Sequence, residues 1–143
     1  MHPKYEEDFY GWAMTNAHLL KEGKYEEVDM EHVIEELEDM GRSQENELFS
    51  RLAVLLAHLL KWQYQPNLQS RSWKSTLEEQ RFRIQRLLRK NPGLKKTVEE
   101  TLRDGYQAAI LSAGKESGLN VDVFPEVCPF TLAQCLDETF YPA

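Results

Sequence analysis

Cysteine is nearly absent: Cys128 and Cys135 are the 2 in the chain, so no disulfide framework can hold the fold together. Glycine and proline are sparse too, at 7 and 6 residues, and no linker, repeat or low-complexity tract divides the sequence. Long apolar runs are missing. The longest, Leu52 to Ala57, falls far short of the roughly 20 residues a membrane helix requires. The opening Met1-His2-Pro3-Lys4-Tyr5-Glu6-Glu7-Asp8 contains no secretory apolar segment. Strand signals are limited to Asn120 to Phe124, which alternates but is too short to build a sheet. These absences argue against a disulfide scaffold, a membrane span and a β fold, and predict a cytoplasmic protein.

What remains is ample material for a core. Of 143 residues, 41% are hydrophobic, and residues 1–143 are expected to form a single all-helical domain. The 24 acidic residues outnumber the 17 basic ones, giving a net charge of −7. That balance disfavours nucleic acid or an anionic membrane as a generic partner.

Helical periodicity dominates. Phe9, Trp12, Ala13, Asn16 and Leu20 mark a first helix, with Gly23 placed to end it. Asp29 is suited to cap a second, carrying Met30, Val33, Ile34, Leu37 and Met40. A third stripe runs through Leu48, Leu52, Leu55, Leu56, Leu59 and Trp62. These two stripes are in phase, but one helix of about 35 residues would span roughly 52 Å. A compact domain of this length has a radius of gyration of only about 14–15 Å. A break near Gly41 to Ser43 is therefore expected, with Ser43 capping the third helix. Ser72 is placed to cap a fourth, with Gln80 inside its stripe of Trp73, Leu77, Ile84, Leu87 and Leu88. Asn91-Pro92 reads as the start of a fifth, with Leu94, Val98, Leu102, Gly105, Ala109 and Ala113 on one face and Gly118 as its stop. Its small residues Gly105, Ala108 and Ala109 allow a neighbouring helix to approach closely. A short helix around Phe130 to Asp137 completes an irregular C-terminal segment. The class is all-α, a bundle of about five helices closed by that segment.

Charge is segregated along the chain. Glu26 to Asp39 contains acidic residues and no lysine or arginine, whereas Arg71 to Lys96 is basic except for Glu78 and Glu79. Arg83, Arg86 and Lys90 fall on one stripe away from the apolar face. Such a stripe suits phosphates or RNA, but the interleaved aromatics of a base-stacking surface are missing. Two solvated helix faces explain the pattern more simply.

Catalytic signals are weak. His18, His32 and His58 sit on three expected helices, but His18 and His32 point away from their apolar stripes, so no metal site and no cofactor is expected. Cys128 and Cys135 read as small buried hydrophobes. A polar cluster stands out instead. Gln80 interrupts an apolar stripe with Arg81 at its edge, and His58 flanks the most apolar helix, four residues from Trp62, close enough to stack. Because buried polar groups need partners, Glu36, His58, Gln80 and Arg81 are expected to meet between helices. They would either fix helix register or form the floor of a binding pocket.

Several segments are familiar together: Tyr5-Glu6-Glu7-Asp8-Phe9-Tyr10-x-Trp12, Glu35-Glu36-Leu37-Glu38-Asp39-Met40-Gly41-Arg42-Ser43, and His58-Leu59-Leu60-Lys61-Trp62-x-Tyr64-Gln65-Pro66. With Ser72-Trp73, Gln80-Arg81, Asn91-Pro92-x-Leu94 and Phe124-Pro125-x-x-Cys128-Pro129, the chain resembles a bacterial family known as domain of unknown function 29. Gly93 departs from it, where a serine is expected. The resemblance implies an all-helical bacterial protein and brings no catalytic residue with it. Three classes of function stay open. A non-catalytic protein-interaction module, binding a protein partner or a second copy, is favoured over a ligand-binding or enzymatic domain and over a nucleic-acid accessory protein.

Overall fold

Five α-helices and no strand make up the computed structural model, which describes residues 1–143. Helix α1 spans Phe9–Lys21 and begins at Asp8, whose carboxylate accepts the Gly11 N–H at 2.9 Å. It ends where Gly23 takes φ +75°, the left-handed conformation glycine adopts without strain. Helix α2 spans Met30–Tyr64, with Asp29 accepting the His32 N–H at its start. Helices α3 (Arg71–Lys90), α4 (Val98–Ser117) and the short α5 (Leu132–Leu136) follow, joined by 3₁₀ turns.

The all-α class and the count of about five helices stand, but the partition differs. The expected break at Gly41 to Ser43 is absent: α2 runs uninterrupted for 35 residues and Ser43 caps nothing. A break would be needed only if both halves of α2 shared one core. The chain instead divides into two compact units, residues 1–43 and 44–143, and α2 supplies a segment to each. One interior glycine costs about 1 kcal/mol relative to alanine, too little to interrupt a helix anchored along its length.

Two starts also move. Ser70, not Ser72, caps α3 by accepting the Trp73 N–H at 3.2 Å. A 3₁₀ turn over Pro92–Lys96 intervenes before α4, because Asn91 turns its amide back to the Leu87 carbonyl, at 3.1 Å, rather than capping a new helix. Gly118 ends α4 with φ +76°, and Thr131 forms a capping box with Gln134 at α5.

In the first unit, Trp12, Asn16, Leu19 and Val28 are buried. The second unit holds the large core. Leu48, Leu52, Leu55, Leu56, Leu59 and Leu60 of α2 face Leu77, Ile84, Leu87 and Leu88 of α3 and Leu102, Tyr106, Ala109 and Ala113 of α4. A Cβ on Gly105 would stand 3.4 Å from Leu52 Cβ and 3.5 Å from the Ala53 backbone nitrogen, so α4 packs against α2 here at ordinary contact distance for a small side chain. Ala109, fully buried, extends the same small face. Tyr106 reaches the C-terminal segment, donating to the Pro125 carbonyl at 2.6 Å, and burial pushes its hydroxyl up to about 12.

Candidate functional site

The four residues expected to cluster each have a separate partner, and no hydrogen bond joins any two of them. Glu36 accepts a hydrogen bond from the Tyr5 hydroxyl. His58 stays half-buried and bonds the Val54 carbonyl of its own helix at 2.9 Å, while Trp62 packs against Tyr141 instead of the imidazole. Burial lowers the His58 pKa from its ordinary value. Gln80 accepts from Arg51 at 3.3 Å. The expected hydrogen bond between two of them is not formed, because helical phase tells which residues flank a core, not which neighbouring segment supplies their partners.

Arg81 is fully buried and ties down the C-terminal segment. Its Nε donates to the Cys135 carbonyl at 2.7 Å and its Nη2 to the Phe140 carbonyl at 2.8 Å. The guanidinium lies over the Tyr141 ring at 5.5 Å, and Gln85 adds a bond to the Leu136 carbonyl at 2.8 Å. Its donors are spent on main-chain carbonyls apart from Nη1, which has no partner. The role is structural: a cation closes a segment whose carbonyls lack a helix to satisfy them. Lys61, also buried, pairs with Glu116 and lies 5.2 Å from the Trp73 ring centre.

The histidines do not converge. His18 pairs with Glu22 at 2.6 Å, and no group of three or more histidine, cysteine or carboxylate side chains is placed to hold a metal ion. The thiols are poor nucleophiles where they lie. Burial raises both, Cys135 to about 12, and Cys128 donates to the Phe130 carbonyl at 3.3 Å.

Residues dispersed over the first 36 positions form a latch in the first unit. Asp29 Oδ2 accepts from Trp12 Nε1 at 2.9 Å and from His32 Nδ1 at 2.7 Å. Asn16 accepts the Asp29 backbone N–H at 2.8 Å. Tyr5 stacks on the His32 ring, with centroids 4.1 Å apart and planes inclined by 13°, and meets Trp12 edge-on at 4.8 Å. The Trp12 and His32 donors hold the Asp29 carboxyl below its ordinary value. The hydrogen bond to Asp29 raises His32, and the bond to Glu36 pushes Tyr5 up to about 12. Glu6 lies 3.6 Å from the second imidazole nitrogen. Both nitrogens thus face carboxylates, so the histidine orders the N-terminal segment instead of presenting a base to a substrate. Asp29-x-x-His32 at a helix start was the available signal; the contribution of Tyr5 depends on the chain folding back.

Beside this latch, α1 and the first half of α2 enclose an open groove of about 380 Å³ lined by Trp12, Leu20, Val33, Leu37 and Met40, with Glu36 at its edge. The stripe read as a core face is largely uncovered: Ile34 is 54% exposed, Leu37 62% and Met40 64%. Residues 1–43 carry twelve carboxylates against four lysines and arginines, a net −8, while residues 44–143 carry +1. The chain's acidity therefore belongs to this unit.

No helix is long and apolar enough to cross a membrane. Comparison with curated proteins and with solved structures finds no match. A family model does match, over residues 4–141, and its description is Domain of unknown function DUF29. The segments that carried the resemblance lie within that range, and the chain belongs to the DUF29 family.

Proposed function

We propose that this protein is a non-catalytic docking module whose first unit receives a basic amphipathic helix from another protein. The observation that carries the reading is the uncovered apolar stripe Ile34, Leu37 and Met40 beside a groove, set in a unit of net charge −8. Exposed leucine or isoleucine gains about 1.5–3 kcal/mol when fully buried, which favours an occupant. Charge selects its chemistry. Glu36 lines the groove and the whole unit is acidic, so an apolar helix bearing lysine or arginine on its flanks is favoured and a second acidic copy is repelled. The free cysteines support a cytoplasmic setting.

A synthetic peptide of about 18 residues, five helical turns, tests this. It carries leucine at i, i+3, i+4 and i+7 spacing and lysine elsewhere, and is compared with a scramble of the same composition. One-to-one binding by calorimetry is expected, weakened by salt and reduced at least about tenfold in Leu37→Glu/Met40→Glu. Equal binding of the scramble would overturn the reading. So would self-association through the same stripe, seen by sedimentation and abolished by the same double variant.

A further inference from the structure

Independently of the docking groove, the second unit contains a second concave feature. The α2 segment beginning at Gln44 and the C-terminal half of α3 bound a notch of about 170 Å³, lined by Gln44, Glu47, Arg51, Arg83, Arg86 and Lys90. The sequence placed Arg83, Arg86 and Lys90 on one stripe; the fold adds a fourth cation from the other helix. Arg51 is restrained by two contacts, Glu47 at 2.9 Å and Gln80 at 3.3 Å, with a quarter of its side chain exposed. Arg83 has a longer contact with Glu79, at 3.4 Å. Arg86 and Lys90 form no ion pair within the chain.

The notch therefore presents four cations against Glu47 and the Arg83 partner Glu79, a local charge of +2, in a unit whose net charge is only +1. A merely solvated face would spread these groups over a convex helix surface. Here they surround one hollow, one of them is fixed in direction by its own hydrogen bonds, and two are left with unspent donors. Arg83, Arg86 and Lys90, three and four residues apart on one helix, repel one another until an anion enters. Arginine forks and a lysine ammonium match tetrahedral oxyanions, and the notch has room for a phosphoryl group. Exposed Phe82, four residues before Arg86, is a single aromatic and not the interleaved series that stacks successive bases, so a nucleic-acid strand is not the notch's fit.

We infer that the Arg51/Arg83/Arg86/Lys90 notch binds a phosphate dianion, as inorganic phosphate or as the phosphoryl group of a small monoester. The test is amide-resolved NMR titration of the full chain at constant ionic strength with inorganic phosphate, glycerol phosphate, acetate and a short DNA duplex. Saturable shifts confined to residues around the notch are expected with phosphate, and at least tenfold weaker with acetate. Tighter binding of glycerol phosphate than of inorganic phosphate identifies a monoester as the ligand; the reverse identifies the free ion. Arg86→Gln/Lys90→Gln replaces two exposed residues and leaves the spectrum folded. It should weaken phosphate binding at least about tenfold, the loss expected when charge-assisted contacts are removed. Arg51→Gln should also weaken it. Three results overturn the proposal: acetate equal to phosphate, phosphate affinity unchanged in the double variant, or duplex DNA outcompeting both phosphates through the same residues.

Discussion

Arg81→Ala should be among the most damaging single substitutions in the chain. The guanidinium is fully buried and donates two short hydrogen bonds, to Cys135 and Phe140, with a longer third to Gln134 at 3.4 Å. Hydrogen bonds from a charged donor contribute about 1.5–3 kcal/mol each, so the two short bonds set an upper range of about 3–6 kcal/mol. Restoring water to the released guanidinium site offsets part of this, because burying the charge without a carboxylate was itself unfavourable. Carbonyls left unpaired and the space vacated by the side chain act in the opposite direction. The expected loss is about 3–5 kcal/mol, a large fraction of the roughly 5–15 kcal/mol that stabilises a typical domain. Urea unfolding measures it as a lower midpoint at unchanged slope. Amide exchange should show protection lost first over residues 124–141, where the C-terminal segment opens locally. His58→Ala serves as the contrast: its hydrogen bond stays within its own helix, and its removal should change stability by about 1 kcal/mol or less. A loss below about 1 kcal/mol in Arg81→Ala, or Arg81→Met as stable as the unaltered chain, would refute the anchoring role.

Gly41 lies inside α2, and a Cβ added there would meet no atom within 4 Å, so Gly41→Ala should stabilise by about 0.5–1 kcal/mol in thermal or urea unfolding; a destabilised variant would show that α2 needs a hinge there. His32 should titrate above its ordinary 6.5 in NMR, because its hydrogen bond to Asp29 favours the imidazolium. Since the folded state binds that proton more tightly, the contribution of His32 is fully present below about pH 6.5 and is lost as pH rises through the folded value. Asp29, held low, contributes in the opposite sense: its share is present above its ordinary 3.8 and is lost as acid protonates it. A His32 value at or below 6.5 would rule out the latch geometry.

Local pattern determined much of this protein. The 3.6-residue spacing of Leu48, Leu52, Leu55, Leu56 and Leu59 placed a core helix where one occurs, because burying an apolar stripe drives helix packing whatever lies opposite it. Gly23 and Gly118 end helices as their positions imply, since few other residues adopt positive φ without strain. Gly105 was legible as a place where α4 meets a neighbour because it has no side chain. What tertiary structure alone decided was the pairing of polar groups and the covering of apolar ones. Arg81 looked like the edge of a cluster with Glu36, His58 and Gln80, yet its partners are backbone carbonyls more than fifty positions away, which carry no side-chain signature. Met30, Ile34, Leu37 and Met40 have the period of a core face, but periodicity cannot report that about half of each side chain or more stays exposed. Continuity of α2 through Gly41 depended on the chain dividing into two units, because a long helix is excluded only when a single core must enclose both its ends. Helix phase is a property of neighbours in sequence; partners and coverage are properties of neighbours in space.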